Sequence, residues 1–281
     1  STAAVTPNVM LLLDNSGSMN TVIYHSGYNS KTDYPTAMYC KAGTSCSVTD
    51  KDHWADTATL SGHSKVAQGG CSAGYYRLGA KNKYKVGGQD RYYPGTAAQT
   101  VCIPFPGVVQ TNSSGSTADE ADLPKNYLEY LVQGVLAGTV VAADIPTTHR
   151  MGVAKAVAKQ IIADNISGVR FGLATFRPGG NSSGIGTEDY EQQGGIIQSG
   201  LGATKATLDS KVNSLYGTTF TPLAEAYYDV IRYYRGLASS YNAAPANISD
   251  QVQYRCQKNF GIVVTDGAPT YDSVFYNNST D

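Results

Sequence analysis

Between Val9 and Asn20 the chain reads VMLLLDNSGSMN. Five apolar residues run without interruption into an aspartate, two serines and a glycine. An unbroken apolar run of this kind fits a strand buried on both faces, as in the middle of a parallel sheet, where alternation is lost because neither face meets water. A strand is therefore expected over residues 5–13. The change of character at Asp14 then delivers Asp14, Ser16 and Ser18 to the place where that strand ends.

The same pattern returns near the other end of the chain, in NFGIVVTDG, where an apolar strand ends on Asp266. Between the two, THRMGVAKAVAKQIIADN places Val153, Ala154, Val157, Ala158, Ile161 and Ile162 at three- and four-residue spacing, the mark of one buried helical stripe. SGVRFGLATF reads as a strand and GGIIQSG as a shorter one. ATKATLDSKVNSLY and TPLAEAYYDVIRYYRGL read as helices, the second with Thr221 as N-cap, Pro222 at the first helical position and Gly236 near its end. Strand, helix, strand, helices, strand is the rhythm of an α/β fold with an open, mostly parallel, doubly wound sheet.

Residues 21–145 break that rhythm. They are rich in Gly, Ser, Thr, Tyr and Cys, and the turn-forming stretches GTSCSV, CSAGYYRLG and KVGGQDRYYPG lie among them. TNSSGSTADEADLP reads as a flexible joint and LPKNYLEYLVQGVLAG as a helix leading back to the core. A structureless loop of this length is improbable in a compact protein. The expected organisation is an α/β domain made of residues 1–20 and 146–281, with a large cysteine-containing insertion after the first strand, residues 21–145, that forms its own small unit stapled by cystines.

Composition narrows the classes of function. With 281 residues and a net charge of −1, electrostatics points to neither nucleic acid nor an acidic membrane surface. No apolar run approaches the roughly 18 residues of a membrane span. Twenty-one tyrosines against 6 phenylalanines suit wet binding faces, since the phenol pairs an apolar ring with a polar tip. Cys40, Cys46, Cys71, Cys102 and Cys256 match no zinc spacing. Four of them fall in the loop-rich region, which favours disulfides and an oxidising compartment. Their pairing is open, and one cysteine is left over.

In an open α/β sheet, ligands bind outside the carboxyl ends of the strands. Asp14 and Asp266 each terminate an apolar strand, so both carboxylates are expected at that rim, with Ser16 and Ser18 turned to the same side. Aspartates, serines and a distant threonine form an all-oxygen set, which hard divalent cations prefer. DNSGSM resembles the DxSxS motif of von Willebrand factor A domains, whose metal-ion-dependent adhesion site holds Mg²⁺ or Mn²⁺; the cation expected here is Mg²⁺, with Mn²⁺ or Ca²⁺ as alternatives. The resemblance implies that Ser16 and Ser18 bind metal directly, that Asp14 and Asp266 act mainly through waters, and that Thr221 supplies a third hydroxyl. YGTTFTPL also offers Thr218 and Thr219. Thr221 is preferred because TPLAEA opens the helix.

PNVMLLLDNSGSMN, RMGVAKAVAKQIIADNISGVRFGLATF, TPLAEAYYDVIRYY and CQKNFGIVVTDGAPT together resemble the N-terminal region of type IV pilus tip adhesins of the PilC/PilY type, over about half of the chain. That resemblance implies a secreted, cell-surface protein at a pilus tip. Its role would be adhesion or surface sensing through a cation completed by an acidic or hydroxyl oxygen of a host-cell or surface receptor. The implied partners also include minor pilins and a C-terminal β-propeller of a longer protein, of which this chain would be a piece. The alternative is a structural part in pilus assembly, the metal only stabilising docking to minor pilins. An enzyme is not expected, because no P-loop, GxSxG elbow, HExxH or His-containing triad is present.

Plainer readings stand beside these. Asp14-Asn15-Ser16-Gly17 also suits a simple strand-ending turn. DKDHWAD, with Asp50, Asp52, His53 and Asp56, lacks the glycine and final glutamate of a calcium loop and reads as solvated loop. His25, His53, His63 and His149 share no metal spacing. Arg77 to Gly95 reads as a surface hairpin before it reads as a stacking platform.

Overall fold

The computed structural model describes residues 5–32, 34, 40–41, 57–60, 75–78, 83–86, 89–92, 101–104, 109–110, 117–118, 121–177, 194–239 and 252–267. The chain divides into two compact units, one of residues 1–19, 111–116 and 151–281, the other of residues 20–110 and 117–150. In chain order the first unit opens with β1 (Asn8–Leu13). The second unit holds β2 (Cys40–Lys41), β3 (Thr57–Leu60), β4 (Tyr75–Leu78), β5 (Lys83–Val86), β6 (Gln89–Tyr92), β7 (Val101–Pro104), β8 (Val109–Gln110), β9 (Thr117–Ala118), β10 (Ala121–Pro124) and α1 (Lys125–Ala137). The first unit resumes with α2 (Arg150–Asn165), β11 (Arg170–Phe176), β12 (Gly195–Ser199), α3 (Lys205–Asn213), α4 (Leu223–Tyr234) and β13 (Asn259–Val264).

The first unit is built on a four-stranded sheet of order β12-β11-β1-β13. β1 runs parallel to both neighbours, with Leu11 beside Leu173 on one side and Ile262 on the other. β12 is antiparallel to β11, with an irregularity between Leu173 and Ala174. All six residues of β1 are buried, which is why its sequence shows no alternation. Its odd-numbered side chains, Val9, Leu11 and Leu13, pack with Met151, Ala154, Ala158 and Ile162 of α2 and with Leu208 and Val212 of α3. Its even-numbered Met10 and Leu12 pack on the other face with Ala226, Val230 and Tyr233 of α4. The sheet is therefore open, mostly parallel and covered by helices on both faces.

Three expectations are corrected here. The buried stripe of α2 is narrower than its periodicity suggested: Val153 and Val157 are 41% and 45% exposed, and the helix meets the sheet through Met151 and the small Ala154 and Ala158. Thr221 is not the N-cap of α4, because the cap position falls on Pro222, which makes no side-chain capping bond, and the helix begins at Leu223. Residues 121–124, taken as part of a joint, form β10 and pair antiparallel with β3. At the C-terminal end of α4 the expectation holds: Gly236 adopts φ +70°, the left-handed conformation that glycine enters without a Cβ penalty.

β13 differs from β1 in surroundings, though not in composition. It ends the strand order among the described residues, and Phe260, Ile262 and Val263 are exposed. Tyr227 of α4 lies over Gly261, where an added Cβ would meet the ring at 2.8 Å. Away from the carboxyl ends of the strands, Asn8 donates to Asn259 Oδ1 (2.8 Å) and accepts from Arg170 Nη1 (2.8 Å), tying three neighbouring strands together.

The second unit contains a five-stranded sheet of order β10-β3-β5-β6-β2 and the antiparallel pairs β4-β7 and β8-β9. β5 and β6 pair as the hairpin expected within residues 77–95. Val101, Ile103, Leu123, Tyr127, Leu128 and Leu131 lie in its core. The chain enters and leaves this unit through a short antiparallel neck, in which Ile23 N–H donates to Thr148 O (2.8 Å) and Arg150 N–H to Thr21 O (3.0 Å). His149 is buried there and its Nδ1 lies 2.6 Å from Asn20 O, so it is a hydrogen-bonded histidine. His53, His63 and the Asp50–Asp56 stretch lie outside the described residues.

Against α1 sits a cluster of rings from Tyr24, Tyr28, Tyr34, Tyr127 and Tyr130. Tyr127 accepts the His25 N–H (2.8 Å), while Tyr130 OH lies 2.6 Å from His25 Nδ1. Burial pushes the phenols of Tyr28, Tyr127 and Tyr130 up from their ordinary value of 10.0. A raised folded-state pKa contributes stability that is complete below the unfolded value and is lost as pH climbs past it. The second unit is therefore expected to lose stability above pH 10.0, steeply in the wild type and less so in Tyr127→Phe, as read by circular dichroism during alkaline titration.

Candidate metal centre

Asp14 and Asp266 come to one edge because their strands are parallel neighbours in register. Leu13 pairs with Val264, so Asp14 follows the end of β1 and Asp266 stands two residues beyond the end of β13. Asp14 N–H still donates to Val264 O (2.9 Å), carrying the parallel pairing into the loop. The carboxylate of Asp14 is then held from two sides. Its Oδ1 accepts the Ser16 N–H at 2.7 Å, an Asx turn, and its Oδ2 accepts the Thr265 hydroxyl at 2.7 Å. The strand-ending turn and the clustered oxygens are thus the same piece of backbone.

Past that turn, residues 17–20 form a single 3-10 turn, with Met19 buried in the core beneath it. Met19 anchors the turn and leaves Ser18 exposed on the outer side. Ser16 Oγ and Ser18 Oγ are 2.9 Å apart, and Ser18 Oγ donates to Asp266 Oδ1 at 2.9 Å. Asp14, Ser16, Ser18 and Asp266 therefore share one connected network, although 248 positions separate Ser18 from Asp266. The network is buried at Asp14 and Ser16 and reaches solvent at Ser18.

The third segment is residues 218–221. Asn15 organises it: its carbonyl accepts the N–H groups of Thr218 (2.9 Å) and Thr219 (3.2 Å), while its side-chain Oδ1 accepts Phe176 N–H (2.9 Å). Ser16 and Thr219 form an isolated parallel bridge, and Gly17 N–H donates to Thr219 O (3.0 Å). Thr219 is 6% exposed, and its Oγ1 is buried without a hydrogen-bond partner. Leaving such a hydroxyl unmatched costs roughly 1–3 kcal/mol, and a cation beside Ser16 would offset it. Thr221 is also buried, two residues further along, where its carbonyl accepts Leu223 N–H (2.9 Å). The threonine that pairs with Ser16 is thus Thr219, whereas the sequence reading preferred Thr221 as the third hydroxyl. Backbone pairing with the first loop, invisible in spacing, singles it out.

Two carboxylates surrounded by hydroxyls make a hard, oxygen-only donor set of low charge, suited to Mg²⁺ or Mn²⁺ better than to zinc. Among the described residues no three His, Cys, Asp or Glu side chains group as a metal cluster, so hydroxyls would have to complete any first shell here. Cys102 is disulfide-bonded, whereas Cys256, three residues before β13, is free and exposed. No helix among the described residues is long and apolar enough to cross a membrane. No family model matches this chain, and no curated protein or solved structure matches it.

Proposed function

We propose that this chain is a metal-dependent adhesion module of the von Willebrand factor A type. Asp14, Ser16, Ser18, Asp266 and a threonine of the 218–221 segment, Thr219 or Thr221, hold a divalent cation. The observation that carries the reading is the hydrogen-bonded convergence of Asp14, Ser16, Ser18 and Asp266 at the carboxyl ends of two adjacent parallel strands. Hydroxyl ligands leave the ion's charge poorly compensated, so a carboxylate from a partner is the favoured completing group. The exposure of Ser18 supports access from outside.

A pilus-tip, cell-surface setting is the place proposed for this module, by its resemblance to the PilC/PilY adhesins; the cystine at Cys102 supports an oxidising compartment. The reading includes no chemical turnover. The test is attachment of the purified chain to host-cell or abiotic surfaces, measured in chelator and again after Mg²⁺ is restored. Loss followed by recovery is the expected result, and attachment indifferent to both removes the proposal. Full attachment by a Ser16→Ala/Ser18→Ala variant that fails in pilus assembly would instead favour the structural role.

A further inference from the structure

Thr265 occupies the position between the last residue of β13 and Asp266, and the sequence reading gave it no role of its own. We infer that Thr265 is a positioning residue for the metal centre, acting through Asp14; the inference rests on the adhesion-module reading above. Its hydroxyl donates to Asp14 Oδ2 at 2.7 Å, while Ser16 N–H occupies Oδ1 at 2.7 Å. With one donor on each oxygen, the Asp14 carboxylate loses its freedom to rotate. Asp14 is 1% exposed, so in the folded site its carboxylate is held by these protein donors, while Thr265 itself lies at the surface.

The bond also closes a ring. Asp14 holds the Ser16 backbone, Ser16 meets Ser18, Ser18 donates to Asp266, and Asp266 is the covalent neighbour of Thr265, which returns to Asp14. The loop after β1 and the loop after β13 are therefore fastened to each other twice, by Ser18–Asp266 and by Thr265–Asp14. Without the second fastening, Asp14 N–H still holds Val264 O, but the carboxylate keeps only its Ser16 donor and can turn. Groups of this kind, which orient ligands without touching the metal, typically control affinity by about 10- to 100-fold when removed.

The experiment compares the whole chain with Thr265→Val and Thr265→Ser. Mg²⁺ binding is measured by calorimetry, and Ser16 amide exchange is followed in chelator. Weaker Mg²⁺ binding by about 10- to 100-fold in Thr265→Val, faster Ser16 amide exchange, and recovery of both in Thr265→Ser is the expected pattern. Wild-type affinity in Thr265→Val overturns the inference while leaving the adhesion reading intact. Equal loss in both variants also overturns it, since the hydroxyl would then be irrelevant. If the wild type binds no Mg²⁺, the adhesion reading fails. The positioning claim is then judged by the amide alone, and unchanged Ser16 exchange in Thr265→Val removes it too.

Discussion

Asp14→Asn is expected to weaken Mg²⁺ binding by about 100-fold or more, roughly 2.8 kcal/mol. The amide keeps one carbonyl oxygen for the Ser16 N–H, so the turn retains a bond it needs. What disappears is a negative charge, and the other oxygen becomes an amide nitrogen facing the Thr265 hydroxyl. Since Asp14 and Asp266 are the two carboxylates of the donor set among the described residues, losing one of them halves its formal charge. Calorimetric titration with MgCl₂ checks the result, with melting in chelator to show that the variant folds. Binding equal to the wild type would place the cation elsewhere. In the same assay Thr219→Ala should weaken binding more than Thr221→Ala, because Thr219 is bridged to Ser16 and carries the buried, unpartnered oxygen.

Leu11→Ala is expected to cost about 2–5 kcal/mol of stability, the range for truncating a fully buried leucine. Leu11 is completely buried in the central strand, between Leu173 and Ile262 in register, and packs against α2 and α3. The space left behind is bounded by strands and helices that relax only in part, so the cavity adds to the lost transfer energy. Val157→Ala is the control. Its side chain is almost half exposed, and its effect should stay within about 0.5 kcal/mol. Urea denaturation of both variants checks the contrast, and comparable losses would mean that the covered face of α2 is wider than its burial indicates.

The α/β character and the place of the candidate site could be read from short stretches. VMLLL lacks alternation because both its faces are covered, and that property survives in the sequence wherever a strand lies mid-sheet. The break at Asp14 and its repeat at Asp266 marked two strand ends, and parallel pairing in register makes them neighbours. Helix positions were legible for the same reason, since amphipathic spacing is a local property. Its breadth was less so: Val153 and Val157 have the same spacing as Ala154 and Ala158, and only packing shows which pair meets the sheet.

Other features had no local signature. FGIVV in β13 is as apolar as β1, yet Phe260, Ile262 and Val263 are exposed at the end of the strand order among the described residues, because an apolar run reports composition and not which strand lies beside it. The antiparallel direction of β12 is likewise a matter of how the chain returns, and a strand of five residues does not encode it.

By itself the sequence determined the buried central strand, the α/β rhythm and the two carboxylates that end on one rim, because hydrophobic periodicity and turn chemistry act over a few residues. Only the tertiary structure decided which threonine meets Ser16, and that Thr265 and Asp266 fasten the two loops together. Those contacts join residues roughly 200 to 250 positions apart, and hydrogen bonds of that range exist only once the sheet has brought the strand ends side by side.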